Sequence, residues 1–290
     1  NRNEQSESSK VSPSAGGGDL EGPLKVAIIG VGLIGGSMAI VLREKNVATS
    51  IIGVDANIMH QEKALELGLV DKISDLDDAV NEADIIILSV PVDVANRLLP
   101  QILDKVKKQV VMDVGSTKNA ACELAKESLN SRRFVATHPM WGTEFSGPAA
   151  AVSGAFADKA VVICNKENSD ADALDMVEKI YKCLGMHIIY MDAAAHDLHA
   201  AYISHISHIT SFALANTVLE KEKEDDAIFE LASGGFESTV RLAKSNADMW
   251  VPVFMQNKEN VLDVLNEHIS QLRKFKSCLE KENYEYLAEL

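Results

Sequence analysis

The chain of 290 residues is long enough for two domains, and its 47% hydrophobic and 24% charged residues are typical of a globular protein. The formal net charge of -15 repels phosphate backbones and anionic headgroups, so we expect no nucleic acid and no membrane as partners. The four cysteines form no Cys-x-x-Cys pair, and neither a run of about 18 apolar residues nor a secretory signal pattern occurs. We therefore expect reduced thiols and a cytoplasmic protein.

The first part of the chain predicts a tail followed by an α/β domain. Residues 1–23 are rich in Ser, Gly and Glu and carry too little apolar surface to offset the entropy of ordering, so a disordered tail or linker is expected. Over residues 24–192 short apolar runs alternate with helical patterns, which predicts β-α-β units around a parallel sheet covered on both faces. The predicted strands are 24–29, 50–54, 84–90, 109–114, 133–137, 160–164 and 187–191.

Residues 193–290 predict a second, all-helical domain. A first helix over about 193–221 carries four histidines, and a later stretch over about 257–288 has apolar residues at three- and four-residue spacing. Such an apolar stripe is often covered by a second copy of the chain, so we expect a homodimer. The predicted fold class is α/β, with an N-terminal Rossmann-type dinucleotide-binding domain followed by a helical dimerisation and substrate domain.

A glycine pattern after the first strand predicts a dinucleotide site. Gly30 suits a tight turn, Gly32 lets the backbone approach a pyrophosphate, and Gly35 allows close packing of helix and strand. Asp55 follows Gly35 at the spacing of about 20 residues at which a carboxylate binds the adenosine ribose. No Lys or Arg closely follows Asp55, which favours NAD over NADP. The alternative is a glycine-rich turn without a dinucleotide.

Three polar segments at strand ends predict a chemical site, because open α/β sheets bind ligands there. They are Ser89–Pro91, Asp113–Lys118 and Thr137–Glu144. The imidazole of His138 would be held rigidly between a strand end and a Pro-containing turn, and its ordinary pKa near 6.5 suits proton removal. Taken singly, His138 is equally well a hydrogen-bonded loop histidine.

The helical half offers two further groups. His205 and His208, three residues apart, should share one helical face, where they could bind an anionic substrate. A metal is the alternative, but a zinc site needs a third and usually a fourth ligand, which no nearby motif supplies. Arg241 in an apolar helical setting predicts a carboxylate-binding fork, and the alternative is a surface salt bridge.

Together these motifs resemble the prephenate dehydrogenase family of tyrosine biosynthesis over about residues 24–280. The resemblance rests on Gly30–Ser37, Asp113–Lys118, His138–Glu144, Ser204–His208 and Arg241–Trp250. It implies oxidative decarboxylation of prephenate to 4-hydroxyphenylpyruvate, with NAD as the cofactor that the glycine pattern and Asp55 favour. It further implies catalytic roles for His138, which takes the proton of the ring hydroxyl, and Ser116, which helps to hold that hydroxyl. The implied substrate-binding residues are His208, Arg241, Thr143, Glu144, Ser245 and Trp250, and the cofactor-binding residues are Gly30, Gly32, Leu33, Ile34, Gly35, Asp55, Val90 and Pro91.

The chain departs from the family pattern at two places. Trp141 replaces a small residue and is expected to reshape the pocket mouth, and Ile206-Ser207 replaces the common Leu-Pro between the paired histidines. Trp141 leaves the choice between prephenate and arogenate open. Two other hypotheses remain: a 3-hydroxy-acid dehydrogenase that uses Lys244, and a nucleotide-sensing protein without turnover.

Overall fold

A computed structural model describes residues 22–224 and 226–290. Residues 1–21 of the predicted tail lie outside the described residues. The strands are β1 (Leu24–Ile29), β2 (Ala48–Val54), β3 (Lys72–Ile73), β4 (Ile85–Leu88), β5 (Val110–Asp113), β6 (Phe134–Pro139), β7 (Ala160–Cys164) and β8 (His187–Met191). The helices that alternate with them are α1 (Leu33–Glu44), α2 (Ile58–Glu66), α3 (Leu76–Glu82), α4 (Val92–Leu103), α5 (Asn119–Ala125) and α6 (Ala171–Cys183).

The strands form one sheet in the order β3-β2-β1-β4-β5-β6-β7-β8. The reversal of strand order beside β1 places the ends of β1 and β4 around a common crevice, as in dinucleotide-binding folds. All neighbouring pairs are parallel except β6 and β7, which run antiparallel. The prediction of a parallel sheet is wrong at this pair, because the connection from Pro139 to Ala160 contains a short 3-10 turn but no α-helix to return the chain to the starting edge.

The period of two along each strand divides the core between the two faces of the sheet. Val26 and Ile28 of β1 belong to the cluster under α1 and α6, whereas Ala27 and Ile29 belong to the cluster under α3, α4 and α5. The prediction that helices cover both faces is confirmed for β1, β4 and β5. It is wrong for β8, where Ile189 is 44% exposed, because this strand lies at the sheet edge.

After Met191 every described element is helical. These elements are α7 (Ala193–Ala200), a π-helical turn (Ala201–His205), α8 (Ile206–Glu222), α9 (Gly234–Thr239), α10 (Ala247–Gln256), α11 (Lys258–Glu280) and α12 (Tyr284–Glu289), with 3-10 turns at Asp226–Leu231 and Arg241–Lys244. The first predicted helix is thus continuous but for its π-helical turn. Within the described ranges, no helix has both the length and the apolar character needed to cross a membrane.

The helical part buries little apolar surface within one chain. Its internal cluster consists of Ala201, Val261 and Val264, with Ile206 and Ile209 packed against it. Large apolar side chains elsewhere on the same helices are exposed, among them Ile203 (65%), Met255 (63%), Leu272 (56%) and Leu279 (65%).

Candidate active site

The glycine-rich loop between β1 and α1 combines close backbone packing with one open position. Gly30 has φ +93°, and a Cβ there would lie 2.3 Å from the carbonyl oxygen of Ser89 at the end of β4. A Cβ on Gly35 would lie 2.3 Å from the carbonyl oxygen of Gly30. A Cβ on Gly32 would meet no atom within 4 Å. Gly30 and Gly35 are therefore required by the fold, whereas Gly32 leaves space above the loop for a ligand.

The start of α1 faces that open space with unpaired donors. Gly32 is the N-cap and makes no side-chain cap hydrogen bond. The backbone N–H groups of Leu33, Ile34 and Gly35 have no acceptor among the described residues, and the first helical hydrogen bond runs from Gly36 N to Gly32 O. A helix N-terminus with free N–H groups attracts an anion, which fits the pyrophosphate of the predicted dinucleotide.

Asp55 lies directly after β2 and is tied to the same loop. Its Oδ2 accepts the backbone N–H of Val31 at 3.0 Å, and its Oδ1 accepts that of Asn57 at 2.9 Å. A carboxylate oxygen can accept more than one hydrogen bond, so both oxygens can still bind ribose hydroxyls. Val90 and Pro91 follow β4 on the other side of the loop, and Pro91 is the N-cap of α4. The residues present thus fit the adenosine half of NAD.

His138 lies near the carboxyl end of β6 and is partly buried. Its Nδ1 lies 2.8 Å from Nε2 of His196, and the two rings meet edge to face at 5.0 Å. Its Nε2 makes no hydrogen bond with the described residues. Burial, reinforced by the neighbouring His196 and Lys118, holds the pKa of His138 well below its ordinary value. The imidazole is therefore neutral at physiological pH.

His196 and Asp197, which sequence reasoning missed, are the groups that hold His138. Both lie on α7 and are almost fully buried, with 3% and 4% exposure. His196 Nδ1 lies 2.9 Å from Asp197 Oδ1, so a hydrogen-bond chain runs from Asp197 through His196 to His138. The available signal was a histidine next to an aspartate in an Ala-rich helix, but nothing local connects that pair to a strand 58 residues away.

A buried ionic network lies beneath this chain. The Lys118 ammonium is fully buried, pairs with Asp113 and donates to the carbonyl of Thr137 at 2.6 Å. The Thr137 hydroxyl lies 2.5 Å from the hydroxyl of Tyr181, whose pKa is raised by burial. The network joins the ends of β5 and β6, between which the turn bearing Ser116 emerges. Ser116 is partly buried, and its hydroxyl makes no hydrogen bond with the described residues.

The paired histidines of the helical part share one face, as predicted, because both contact Trp250. The His208 ring stacks on the indole at 3.4 Å between centroids, and the His205 ring meets it edge to face at 5.9 Å. Burial lowers the pKa of both imidazoles, that of His205 to about 4. Among the described residues no group of three His, Cys, Asp or Glu side chains is arranged to hold a metal.

Arg241 differs from its predicted setting. It begins a 3-10 turn, its side chain is 51% exposed, and its Nη1 pairs with Glu144 Oε2 at 2.7 Å. The apolar setting is therefore wrong, and the predicted alternative, a salt bridge, is what the structure contains. The pair joins the loop after β6 to the helical part. A hydrogen bond from its own backbone N–H, and after it the pairing with Arg241, lowers the pKa of Glu144. Because a guanidinium has five N–H donors, Arg241 can still bind a carboxylate.

The remaining predicted site residues are less closely connected. Thr143 Oγ1 accepts the backbone N–H of Phe145, and the side chain of Ser245 makes no hydrogen bond with the described residues. Trp141 meets Phe156 edge to face at 5.4 Å and packs against the cluster under α1. The Trp141 indole therefore packs against the core, whereas we expected it to reshape the mouth of the pocket. Lys244 is exposed.

Two family models match this chain. The model of the prephenate dehydrogenase nucleotide-binding domain matches residues 38–190, and that of the prephenate dehydrogenase dimerization domain matches residues 192–290. The boundary between the two matches coincides with the end of β8 at Met191. Together they cover β2 to β8 and the helical part of the chain, whereas β1 and the glycine-rich loop precede the first match.

Curated relatives and solved structures agree with the family models. The chain is 30% identical to prephenate dehydrogenase of Bacillus subtilis over 90% of this chain and 72% of the relative, and 30% identical to cyclohexadienyl dehydrogenase of Zymomonas mobilis over 91% of each. The structure of prephenate dehydrogenase from Aquifex aeolicus, in complex with hydroxyphenyl propionate and NAD+, superposes with TM-score 0.85 and 29% identity over 94% of this chain and 96% of that one. Synechocystis arogenate dehydrogenase superposes with TM-score 0.70 and 27% identity over 91% of this chain and 95% of that one. The chain therefore belongs to the prephenate dehydrogenase family.

Proposed function

We propose that this protein catalyses the NAD-dependent oxidative decarboxylation of prephenate to 4-hydroxyphenylpyruvate. The observation that carries the proposal is a neutral histidine, His138, whose Nε2 is free of partners among the described residues at the strand ends beside the glycine-rich loop. A base, a dinucleotide site and cationic groups for carboxylates are what this reaction needs. The Aquifex relative, which carries NAD+ and hydroxyphenyl propionate, supports the same cofactor and an aromatic acid ligand.

The cofactor, when bound, supplies the acceptor for the hydride that leaves the hydroxyl-bearing ring carbon. The N–H groups of Leu33, Ile34 and Gly35 would hold its pyrophosphate, and Asp55 its adenosine ribose, with Gly30, Gly32, Val90 and Pro91 shaping the crevice. The Asp55 carboxylate would repel a 2′-phosphate, which favours NAD over NADP.

The residues of the chain would manage the proton and the charge of the substrate. His138 Nε2 takes the proton of the ring hydroxyl while Ser116 holds that oxygen, so a carbonyl forms at this carbon. Carbon dioxide then leaves the ring carbon opposite, and the electron pair of the broken bond makes the ring aromatic. The ring oxygen takes a proton back from His138 and becomes the phenol hydroxyl of the product. Arg241, reached through its exposed edge, would hold a carboxylate, and His208 would contact the substrate from its place beside Trp250. Thr143, Glu144, Ser245 and Trp250 would line the pocket.

His138→Asn tests the role of the base. The variant should retain NAD affinity and lose about 10²- to 10⁴-fold in kcat, because the amide cannot take up the proton. His187→Asn, at an exposed position on β8, is the matched control and should turn over at the rate of the unaltered enzyme. Turnover of His138→Asn at the control rate would contradict the mechanism.

The domain organisation and the assembly belong to the same proposal. We place a tail or linker at residues 1–23, the NAD-binding domain at residues 24–192 and the helical domain at residues 193–290. The helical domain would form a homodimer, supported by the dimerization-domain match and by exposed Leu272, Phe275 and Leu279 on α11. A cytoplasmic location is supported by four cysteines without a disulfide partner.

Light scattering after size exclusion tests the dimer. The protein should elute at about twice the chain mass, and Leu279→Asp should shift it toward the monomer if α11 forms the interface. Glu280→Gln, beside it on the same helix, is the control and should leave the dimer intact. A monomer at micromolar concentration for the unaltered protein would refute the homodimer.

A further inference from the structure

The hydrogen-bond chain that runs from His138 through His196 ends at the carboxylate of Asp197, and both oxygens of this carboxylate already accept backbone hydrogen bonds. Asp197 Oδ1 accepts the backbone N–H of Lys118 at 2.8 Å, and its Oδ2 accepts that of Asn119 at 3.0 Å. Both oxygens therefore act as acceptors toward the start of α5. His196 Nδ1 approaches Oδ1 as a third partner at 2.9 Å, and a carboxylate that accepts at both oxygens can only accept from it.

This arrangement determines which nitrogen of each imidazole carries the proton. A neutral imidazole has one N–H and one lone pair. His196 donates from Nδ1 to Asp197, so its Nε2 offers a lone pair. His138 Nδ1, 2.8 Å away, must then be the donor, and the lone pair of His138 lies on Nε2. That nitrogen is the one without a partner among the described residues.

We propose that Asp197 and His196 are positioning residues that fix His138 in the tautomer with an unprotonated Nε2, the form able to accept the substrate's proton. The inference rests on the proposed function. Under this inference α7 takes part in catalysis, because two of its buried side chains orient His138 and need not contact the substrate themselves. The charged and titratable groups around His138 are His196 on α7, Lys118 in the turn after β5 with its partner Asp113, and His205 in the π-helical turn.

Asp197 has a second effect through its backbone partners. The N–H groups of Lys118 and Asn119 follow directly after Ser116-Thr117, so the same carboxylate anchors the turn that carries the other proposed catalytic side chain. The Asn257 amide donates to the Asp197 carbonyl at 2.7 Å, which fixes α7 to the start of α11. One residue thereby sets both the tautomer of His138 and the place of Ser116.

Asp197→Asn is the direct test, because an amide has a single acceptor oxygen for three donors. With its NH2 group toward His196, the amide donates to Nδ1. His196 must then carry its proton on Nε2, His138 accepts at Nδ1, and His138 Nε2 becomes an N–H. We expect kcat to fall about 10²- to 10⁴-fold, the range that general base catalysis contributes; a wrong histidine tautomer in serine proteases costs about 10⁴-fold.

The spectroscopic readout is the ¹⁵N chemical shift of the imidazole nitrogens in protein labelled at its eight histidines, recorded at pH 8 without substrate. The signals of His138 are identified as those lost in His138→Asn. In the unaltered protein Nε2 should resonate as an unprotonated nitrogen, and in Asp197→Asn as a protonated one. Asp192→Asn is the matched control, because Asp192 caps the same helix through Ala194 and Ala195 and asparagine caps equally well.

Each combination of spectrum and rate has a definite meaning. A protonated Nε2 together with the loss of kcat, neither of which occurs in Asp192→Asn, supports the inference. An Nε2 that remains unprotonated in Asp197→Asn overturns it whatever the rate, since any loss of activity would then come from the turn at Ser116 or from the fold. A protonated Nε2 with unchanged kcat overturns it as well. If the unaltered enzyme does not oxidise prephenate, the proposed function fails, while the tautomer assignment is still decided by the spectra alone.

Discussion

The buried imidazole of His205 should make the stability of the protein fall with acid over a defined pH range. Burial, only partly opposed by Asp197, lowers its pKa to about 4, against about 6.5 in an unfolded chain. Above pH 6.5 the imidazole is neutral in both states and its contribution is fully present. As the pH falls from 6.5 toward 4, the unfolded chain takes up a proton that the folded chain does not, so the free energy of unfolding decreases.

The magnitude follows from the shift. Each pKa unit corresponds to about 1.4 kcal/mol, so His205 alone should remove about 3 kcal/mol between pH 6.5 and pH 4. Urea unfolding at fixed protein concentration, repeated at several pH values, measures this decrease. The His205→Gln variant should show a decrease smaller by about that amount, since a glutamine can still accept from the Asn257 amide but does not titrate.

His199→Gln, at an exposed position on α7, is the matched control and should follow the curve of the unaltered protein. His138 and His208, whose pKa values are also lowered, are present in all three proteins and drop out of the difference. If the curves for His205→Gln and the unaltered protein ran parallel within about 1 kcal/mol, the folded protein would not hold His205 in its neutral form and the expectation would be wrong.

Three further substitutions test separate parts of the structure. Phe156→Ala, at a fully buried side chain against Trp141, should lower the free energy of unfolding by about 3–5 kcal/mol in urea, and a loss below about 1 kcal/mol would contradict the assigned packing. Gly32→Ala should leave the melting temperature unchanged, because its Cβ meets no atom, yet weaken NAD binding at least tenfold by calorimetry; unaltered affinity would place the pyrophosphate elsewhere. Glu144→Gln should change stability by less than about 1 kcal/mol, because the ion pair with Arg241 is partly exposed, but should alter KM for the substrate; unchanged KM would separate this pair from the binding site.

The parts of the fold that were predictable are those with a local physical cause. The strands 24–29, 160–164 and 187–191 were predicted with the bounds that the structure has, because short runs rich in Ile and Val favour a strand. β3 was missed, because two residues carry no periodicity. The direction of β7 was also missed, because an apolar run has the same pattern in either direction and only the connection before it decides.

The candidate site also contains some features that have a local cause in the sequence and others that depend on contacts between distant residues. The tight glycine loop could be predicted because the steric needs of one turn select glycine, while the binding of a cofactor by this loop and Asp55 stays a prediction. The His196–Asp197 pair could not, because its meaning depends on α7 returning to the end of β6. The ion pair of Arg241 with Glu144 joins residues 97 positions apart, and no local pattern records such a partner.

The proposed reaction can be followed through the absorbance at 340 nm of purified protein mixed with NAD and prephenate. We expect rapid NADH formation with prephenate, little or none when NADP replaces NAD, and a loss of about 10²-fold or more in His138→Asn. A strong preference for arogenate would keep the mechanism and change the substrate. If protein that binds NAD reduced none of it with either compound, the proposed function would be wrong.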